Sequence, residues 1–120
     1  MLKKEQRIHK KKEFDLFFGL NFKKNRGINL SSPNLIFKIL FKTTPGSKFG
    51  FIVSNQVDKR ATARNLIKRR LREIVRLNLN KFKLPIEALI LAKIGAKKLE
   101  YSALEKELVS LFKKVRGYDN

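Results

Sequence analysis

Along this chain the apolar positions switch between helical spacing and short dense runs, and the switches mark out the elements. Lys12-Glu13-Phe14-Asp15-Leu16-Phe17-Phe18 sets Phe14, Phe17 and Phe18 at i, i+3 and i+4, which predicts a short amphipathic helix. Gly19 and Asn21 weaken it, and Lys23 to Arg26 read as a polar connection ending at Gly27. Leu35 to Phe41 is β-branched and aromatic, as strands are. Leu35, Phe37, Ile39 and Phe41 would share one face, and Ile36, Lys38 and Leu40 the other, so both faces need at least partial cover. Thr43-Thr44-Pro45-Gly46 suits a type II turn, and Phe49-Gly50-Phe51-Ile52-Val53-Ser54 then reads as the return strand of a hairpin. Gly27 to Ser31 predicts a short edge strand. Residues 60–79 carry the longest helical pattern, and residues 87–92 a buried strand. Tyr101, Leu104, Leu108, Leu111, Phe112 and Val115 give a last helix with one apolar stripe. The order helix, hairpin, helix, strand, helix makes a single α+β domain of residues 1–120.

Charge changes this picture. Among 120 residues, 29 Lys and Arg face 10 Asp and Glu, a formal net charge of +19. Such an excess strains a compact state by self-repulsion and calls for a polyanionic partner, nucleic acid before an anionic membrane surface. Hydrophobic residues make up 42% of the chain, enough for a folded core, so the charge does not signal wholesale disorder. With no cysteine there is no disulfide, thiolate metal site or thiol nucleophile. No apolar run is long enough to span a bilayer, and no secretory signal stands at Met1-Leu2-Lys3-Lys4-Glu5, so the expectation is a soluble, cytoplasmic protein. Residues 1–12 form a basic tail, for which partial disorder and direct RNA contact are equally open.

The charge is patterned on the predicted long helix. Arg60, Arg64, Lys68, Arg72 and Arg76 recur every four residues as one drifting stripe, with Arg69 flanking it and Asn65 within it. Ala63, Ile67, Leu71 and Ile74 occupy a separate sector suited to packing on the sheet. Like charges at i and i+4 repel, by a few tenths of a kcal/mol per pair. With only Glu73 nearby, a ligand of closely spaced phosphates explains the stripe better than a solvated face, which would mix both signs. Arg offers planar bidentate contacts to phosphate, and Asn can read a base edge or sugar hydroxyl. Arg70 falls awkwardly in the apolar sector.

A protein-based active site is not legible. His9 is the only histidine and sits in the basic tail; the acids are scattered, and Glu100, Glu105 and Glu107 read as the solvent face of the last helix. Neither a metallohydrolase cluster nor a phosphate loop is present.

Arg64-Asn65-Leu66-Ile67-Lys68-Arg69-Arg70-Leu71-Arg72-Glu73, following Gly50-Phe51-Ile52-Val53-Ser54, resembles the ribonuclease P protein family, whose signature is a G-x-x-V-S strand and a helix beginning R-N-R-x-K-R-x-x-R. Phe14-Asp15-Leu16-Phe17-Phe18 is similar to that family's first helix, Leu89-Ile90-Leu91-Ala92-Lys93 to its apolar strand, and Tyr101-Ser102-Ala103-Leu104 to the start of its last helix. The resemblance implies three helices around a small mixed four-stranded sheet, in the order αβββαβα with a left-handed βαβ crossover of a ribosomal-protein type. It implies a subunit that binds a catalytic RNA and the 5′ leader of precursor tRNA and assists magnesium-dependent removal of the leader. The RNA would carry the catalysis, so no catalytic residue, metal or cofactor is expected in the protein alone. The partners implied are ribonuclease P RNA and precursor tRNA, with no membrane and no protein partner. Carried over, contacts to the catalytic RNA fall on Arg60, Arg64, Asn65, Lys68, Arg69 and Arg72, and the leader cleft on Phe14, Phe18, Ile36 and Lys38.

The chain departs from the family pattern at three places. Leu66 replaces the second Arg of R-N-R while Arg70 replaces an apolar residue one turn on, an exchange along one flank of the helix. The link from Asn55 to Ala63 is one residue longer than common, and Lys38 stands where an aromatic is frequent on the cleft face. The alternatives are a ribosomal or other structural RNA-binding protein, a small DNA-binding factor and a cationic membrane-surface protein. The ordered set of Phe14 and Phe18, Val53-Ser54 and Arg64-Asn65 argues against the first. The absence of helix-turn-helix spacing argues against the second, and the use of the helix's apolar face for the core against the third.

Overall fold

The computed structural model describes residues 2–119. Two short helices, α1 (Lys11–Asp15) and α2 (Gly19–Lys24), precede the strands β1 (Ile28–Ser31), β2 (Leu35–Phe41) and β3 (Lys48–Ile52). The long helix α3 (Ala61–Asn78), the strand β4 (Ile86–Ala92) and the helix α4 (Tyr101–Phe112) complete an α+β domain built on one mixed sheet.

The strand order is β1-β2-β4-β3. β1 and β4 both run antiparallel to β2, and β3 runs parallel to β4. The predicted strands exist nearly to the residue, and Ile28–Ser31 is the expected edge. The hairpin is corrected: the chain does reverse between β2 and β3, but the two never pair, because β4 lies between them. β4 is the strand most in need of cover on both faces, with Ala88, Leu89 and Ile90 all fully buried. An edge position would have left one side of that apolar run open. Turn chemistry reports only the local reversal, and the reversal is compatible with either pairing.

The odd face of β2 (Leu35, Phe37, Ile39) meets Ala88 and Ile90 of β4 and packs against Ile67, Leu71, Ile74 and Val75 of α3 and Leu104, Leu108, Leu111 and Phe112 of α4. Edge-to-face contacts link Phe112 to Phe37 and Phe82, at centroid distances of 5.3 and 5.0 Å. Beyond α4, Val115 and Tyr118 return to this core, and the Tyr118 hydroxyl donates to Asn78 Oδ1 at 3.1 Å. Asn78, the one buried polar side chain among the described residues, is therefore satisfied on both sides, its Nδ2 donating to the Ile74 carbonyl at 2.7 Å.

The opposite face carries a smaller cluster: Ile8, Phe17, Leu40 and Leu89, with Phe14, Leu16, Phe22, Ile52 and Leu91 around it. Here the expected single helix over Lys12–Phe18 is corrected. It stops at Asp15, and a second helix begins at Gly19, whose φ of +65° supplies the left-handed joint. The segment read as a polar connection is thus partly helical. The break turns Phe17 fully inward and leaves Phe18 42% exposed, so the three Phe residues share no single stripe. The N-terminal segment is docked as well. Leu2 and Ile8 are buried, and the Ile8 N–H donates to the Phe49 carbonyl at the outer edge of β3.

Candidate nucleic-acid interface

α3 begins at a pinned link. Asp58 accepts from the Arg60 backbone N–H at 2.9 Å and from its guanidinium at 3.1 and 3.2 Å. Those hydrogen bonds hold the Asp58 carboxyl down at about 2. Arg64, one turn into the helix, donates through Nη1 to the carbonyls of Asp58 and Lys59 at 3.0 and 2.9 Å. The link itself holds a turn in which the Val57 N–H donates to the Ser54 carbonyl at 3.0 Å. At the other end of the stripe Arg76 forms a two-pronged pair with Glu73, at 2.6 and 2.9 Å.

The five-residue stripe is therefore not uniform. Arg60 and Arg76 are paired and Arg64 is turned on its own backbone. The expectation that nothing compensates Arg60 locally is corrected by Asp58. Among the described residues, Lys68, Arg69 and Arg72 have no carboxylate within 4.0 Å. Together with Asn65 they form the cationic centre of the helix. Arg69 and Asn65 are exposed, Lys68 and Arg72 half-buried, and Thr62, Asn65, Leu66, Arg69 and Arg72 line a shallow depression of about 310 Å³. Leu66 is 37% exposed, while Arg70 leaves the apolar sector sideways and reaches the Leu99 carbonyl at 3.4 Å. The two departures are thus accommodated separately, one at the surface and one against the turn before α4.

On the other face of the sheet, the structure brings Lys38 and Phe18 together directly. Lys38 Nζ lies 4.5 Å from the Phe18 ring centroid and 5.2 Å from that of Phe22, and donates to the Phe17 carbonyl at 3.0 Å. A cation held over two rings and a carbonyl fixes the rings that flank it. Ile36 lies two residues back on the same strand face, beside Leu91. Phe14 sits apart from this group, over Gly50. A Cβ at Gly50 would come within 3.1 Å of Phe14, Ile8 and Leu89, so the glycine is what lets the ring approach the sheet. Phe22 is the residue that sequence reasoning missed. It lies four residues after Phe18, but Gly19 and Asn21 hid the continuing helical spacing.

A second missed group is Glu107. It is half-buried rather than on a solvent face and accepts from the Asn34 N–H at 2.8 Å, from Asn34 Nδ2 at 2.9 Å and from the Ser32 hydroxyl. Burial pushes this carboxyl up, but the Ser32 and Asn34 hydrogen bonds and the Lys93 charge outweigh it and hold it below the usual value. The cluster closes the turn between β1 and β2 against α4.

No three His, Asp or Glu side chains among the described residues converge as a metal-binding group. No described helix is long and apolar enough to cross a membrane.

The family described as Ribonuclease P matches residues 2–116 of this chain. The ribonuclease P protein component of Syntrophomonas wolfei is 31% identical over 114 residues, covering 95% of this chain and 90% of that protein. That of Finegoldia magna is 36% identical over 76 residues, 63% of this chain and 66% of that relative, so this alignment spans about two thirds of its length. The solved structure of the Staphylococcus aureus RNase P protein superposes with a TM-score of 0.81 at 21% identity, covering 97% of this chain and all of the other. At that identity the likeness speaks to the fold.

Proposed function

Since the chain belongs to the ribonuclease P protein family, we propose that its α3 face binds the catalytic RNA of the holoenzyme and that the face of the sheet bearing α1 and α2 holds the 5′ leader of precursor tRNA. The observation that carries this reading is the uncompensated run Lys68, Arg69 and Arg72 beside Asn65, on a helix whose remaining cations are internally engaged. Three cations with no acid partner among the described residues are matched by the closely spaced phosphates of an RNA strand. Arg60 and Arg64 then act first by shaping the start of α3, and contact RNA with the hydrogen-bonding capacity left over.

On the leader side, exposed Phe18 with Phe14 and Phe22 offers ring faces to unpaired bases, which stack without demanding a sequence. Lys38 and Ile36 form the floor, the first also offering donors to phosphate. Chemistry belongs to the RNA. On this reading the magnesium ions that drive cleavage sit with the RNA, and this chain binds and positions the two RNA strands.

Reconstitution tests the reading. The protein is added to a bacterial-type ribonuclease P RNA and precursor tRNA at low magnesium, and leader removal is followed. Stimulation of cleavage is expected. RNA binding with no stimulation by any bacterial-type RNA would instead indicate a structural RNA-binding protein without a role in cleavage.

A further inference from the structure

Between the two faces lies a third concavity, which borrows Arg72 from one and Phe14 from the other and is otherwise lined by residues that neither reading uses. Lys4, Arg7, Ile8 and His9 of the N-terminal segment, Phe14, Phe49 and Phe51, and Arg72 of α3 enclose about 310 Å³ along the outer edge of β3. That size sits near the lower end of the range of about 300–1,000 Å³ for ligand clefts and suits one small planar group with its charge.

Its walls differ in chemistry. The Arg72 guanidinium lies over the half-buried Phe51 ring, 6.0 Å from the centroid. Arg7 and Lys4 are exposed on the facing side, and neither has a carboxylate within 4.0 Å among the described residues. Among the described residues the N-terminal segment bridges β3 at one pair, Arg7 with Phe49, and then diverges into α1. Because the Phe49 carbonyl points outward to Ile8, strand alternation points the N–H and C=O of Phe51 to the same edge. No backbone group beyond the sheet meets them there among the described residues. A ring face, three cations and a free amide donor and acceptor thus converge on one small space, between the cationic centre of α3 and the ring of Phe14.

We infer that this seam seats one unpaired ribonucleotide, its base against Phe51 and its phosphate between Arg7 and Arg72. The inference rests on the RNA-binding reading above. The nucleotide can come from the substrate leader or from an unpaired stretch of the catalytic RNA, and both carry the same chemistry.

Holoenzymes rebuilt with wild-type, Phe51→Leu and Arg7→Gln proteins separate the sources. Each is titrated with precursor tRNAs whose leader carries an abasic site at each position in turn. If the leader supplies the nucleotide, one abasic position lowers wild-type affinity by about fivefold or more, as loss of a base stack does. That penalty disappears in Phe51→Leu. Arg7→Gln weakens binding of every leader, by a factor that shrinks as salt rises. If the catalytic RNA supplies it, the abasic scan is flat, and Phe51→Leu weakens the affinity of the protein for that RNA by a similar factor. Both outcomes support the seat. Variants that match wild type in both titrations overturn it, while wild-type stimulation of leader removal leaves the proposed function standing. A wild-type protein without stimulation overturns the function and the seat with it. Phe51→Leu keeps an apolar group on β3; should its melting temperature fall, Arg7→Gln, whose side chain is exposed, carries the comparison.

Discussion

Glu107 accepts from three donors on the turn between β1 and β2; if the carboxylate goes, both Asn34 donors lose their partner, while the Ser32 hydroxyl keeps the Leu35 carbonyl at 3.2 Å. Glu107→Ala should therefore destabilise the fold by about 1–3 kcal/mol, measured by urea unfolding at neutral pH. Its carboxyl lies below the usual 4.5 in the folded state, so its stabilisation is fully present above that value. It drains away as pH falls from 4.5 through the lowered folded value. Glu107→Gln should flatten that acid limb of the stability profile, and an unchanged limb would show the pairing to be inconsequential. Asp58 behaves alike over a window reaching from 3.8 down to about 2. Nothing local in the sequence distinguishes Glu107 from Glu100 and Glu105. Its partners lie more than seventy residues away, and helical spacing cannot see them.

At the scale of elements, α3 was legible in extent and in the split between its apolar and cationic sectors, since both follow from a helical period of about 3.6 residues. The division of labour among its cations was not, because Asp58 lies in an irregular link that periodicity does not describe. The consequence is testable. Lys68→Ala with Arg69→Ala should weaken RNA binding and lower the salt slope by about 0.7–0.9 for each phosphate no longer neutralised, with melting unchanged. Arg64→Ala should instead lower stability by about 1 kcal/mol, because it frees two carbonyls of the link, and affinity should fall with it. A normal melting temperature for Arg64→Ala would return that residue to the RNA-contacting set alone. On the face proposed for the leader, the grouping of Phe18 with Lys38 was legible in the sequence. The geometry of that face was not, since the joint at Gly19 moves Phe17 inward and brings Phe22 to the site.

For the whole molecule the dominant quantity is the +19 charge, against which the described residues set four ion pairs. Solvent screens such pairs, so four of them do not offset the repulsion. Sulfate or phosphate should raise the melting temperature well beyond the effect of chloride at equal ionic strength, by occupying cationic sites in the folded state. Melting that depends on ionic strength alone would show general screening instead. With RNA, the affinity should drop about 10³- to 10⁵-fold between 50 and 200 mM salt if roughly six to ten phosphates are engaged.

The place of β4 also bears on how the protein comes into being. The last strand to be synthesised is the one that joins β2 to β3, so before Ile86 emerges β1 and β2 are the only two strands of the sheet that can pair, and β3 has just the single bridge from Arg7 to Phe49. A lone two-stranded hairpin is marginal in water. The nascent chain should therefore present its cationic α3 segment to the crowded, RNA-rich surroundings of the ribosome before it has a sheet to rest on. A ribosome-tethered chain stalled before Ile86 should be readily cleaved by protease, and one stalled after α4 has cleared the exit tunnel should resist. Protection of the shorter chain would mean that an intermediate without β4 holds together.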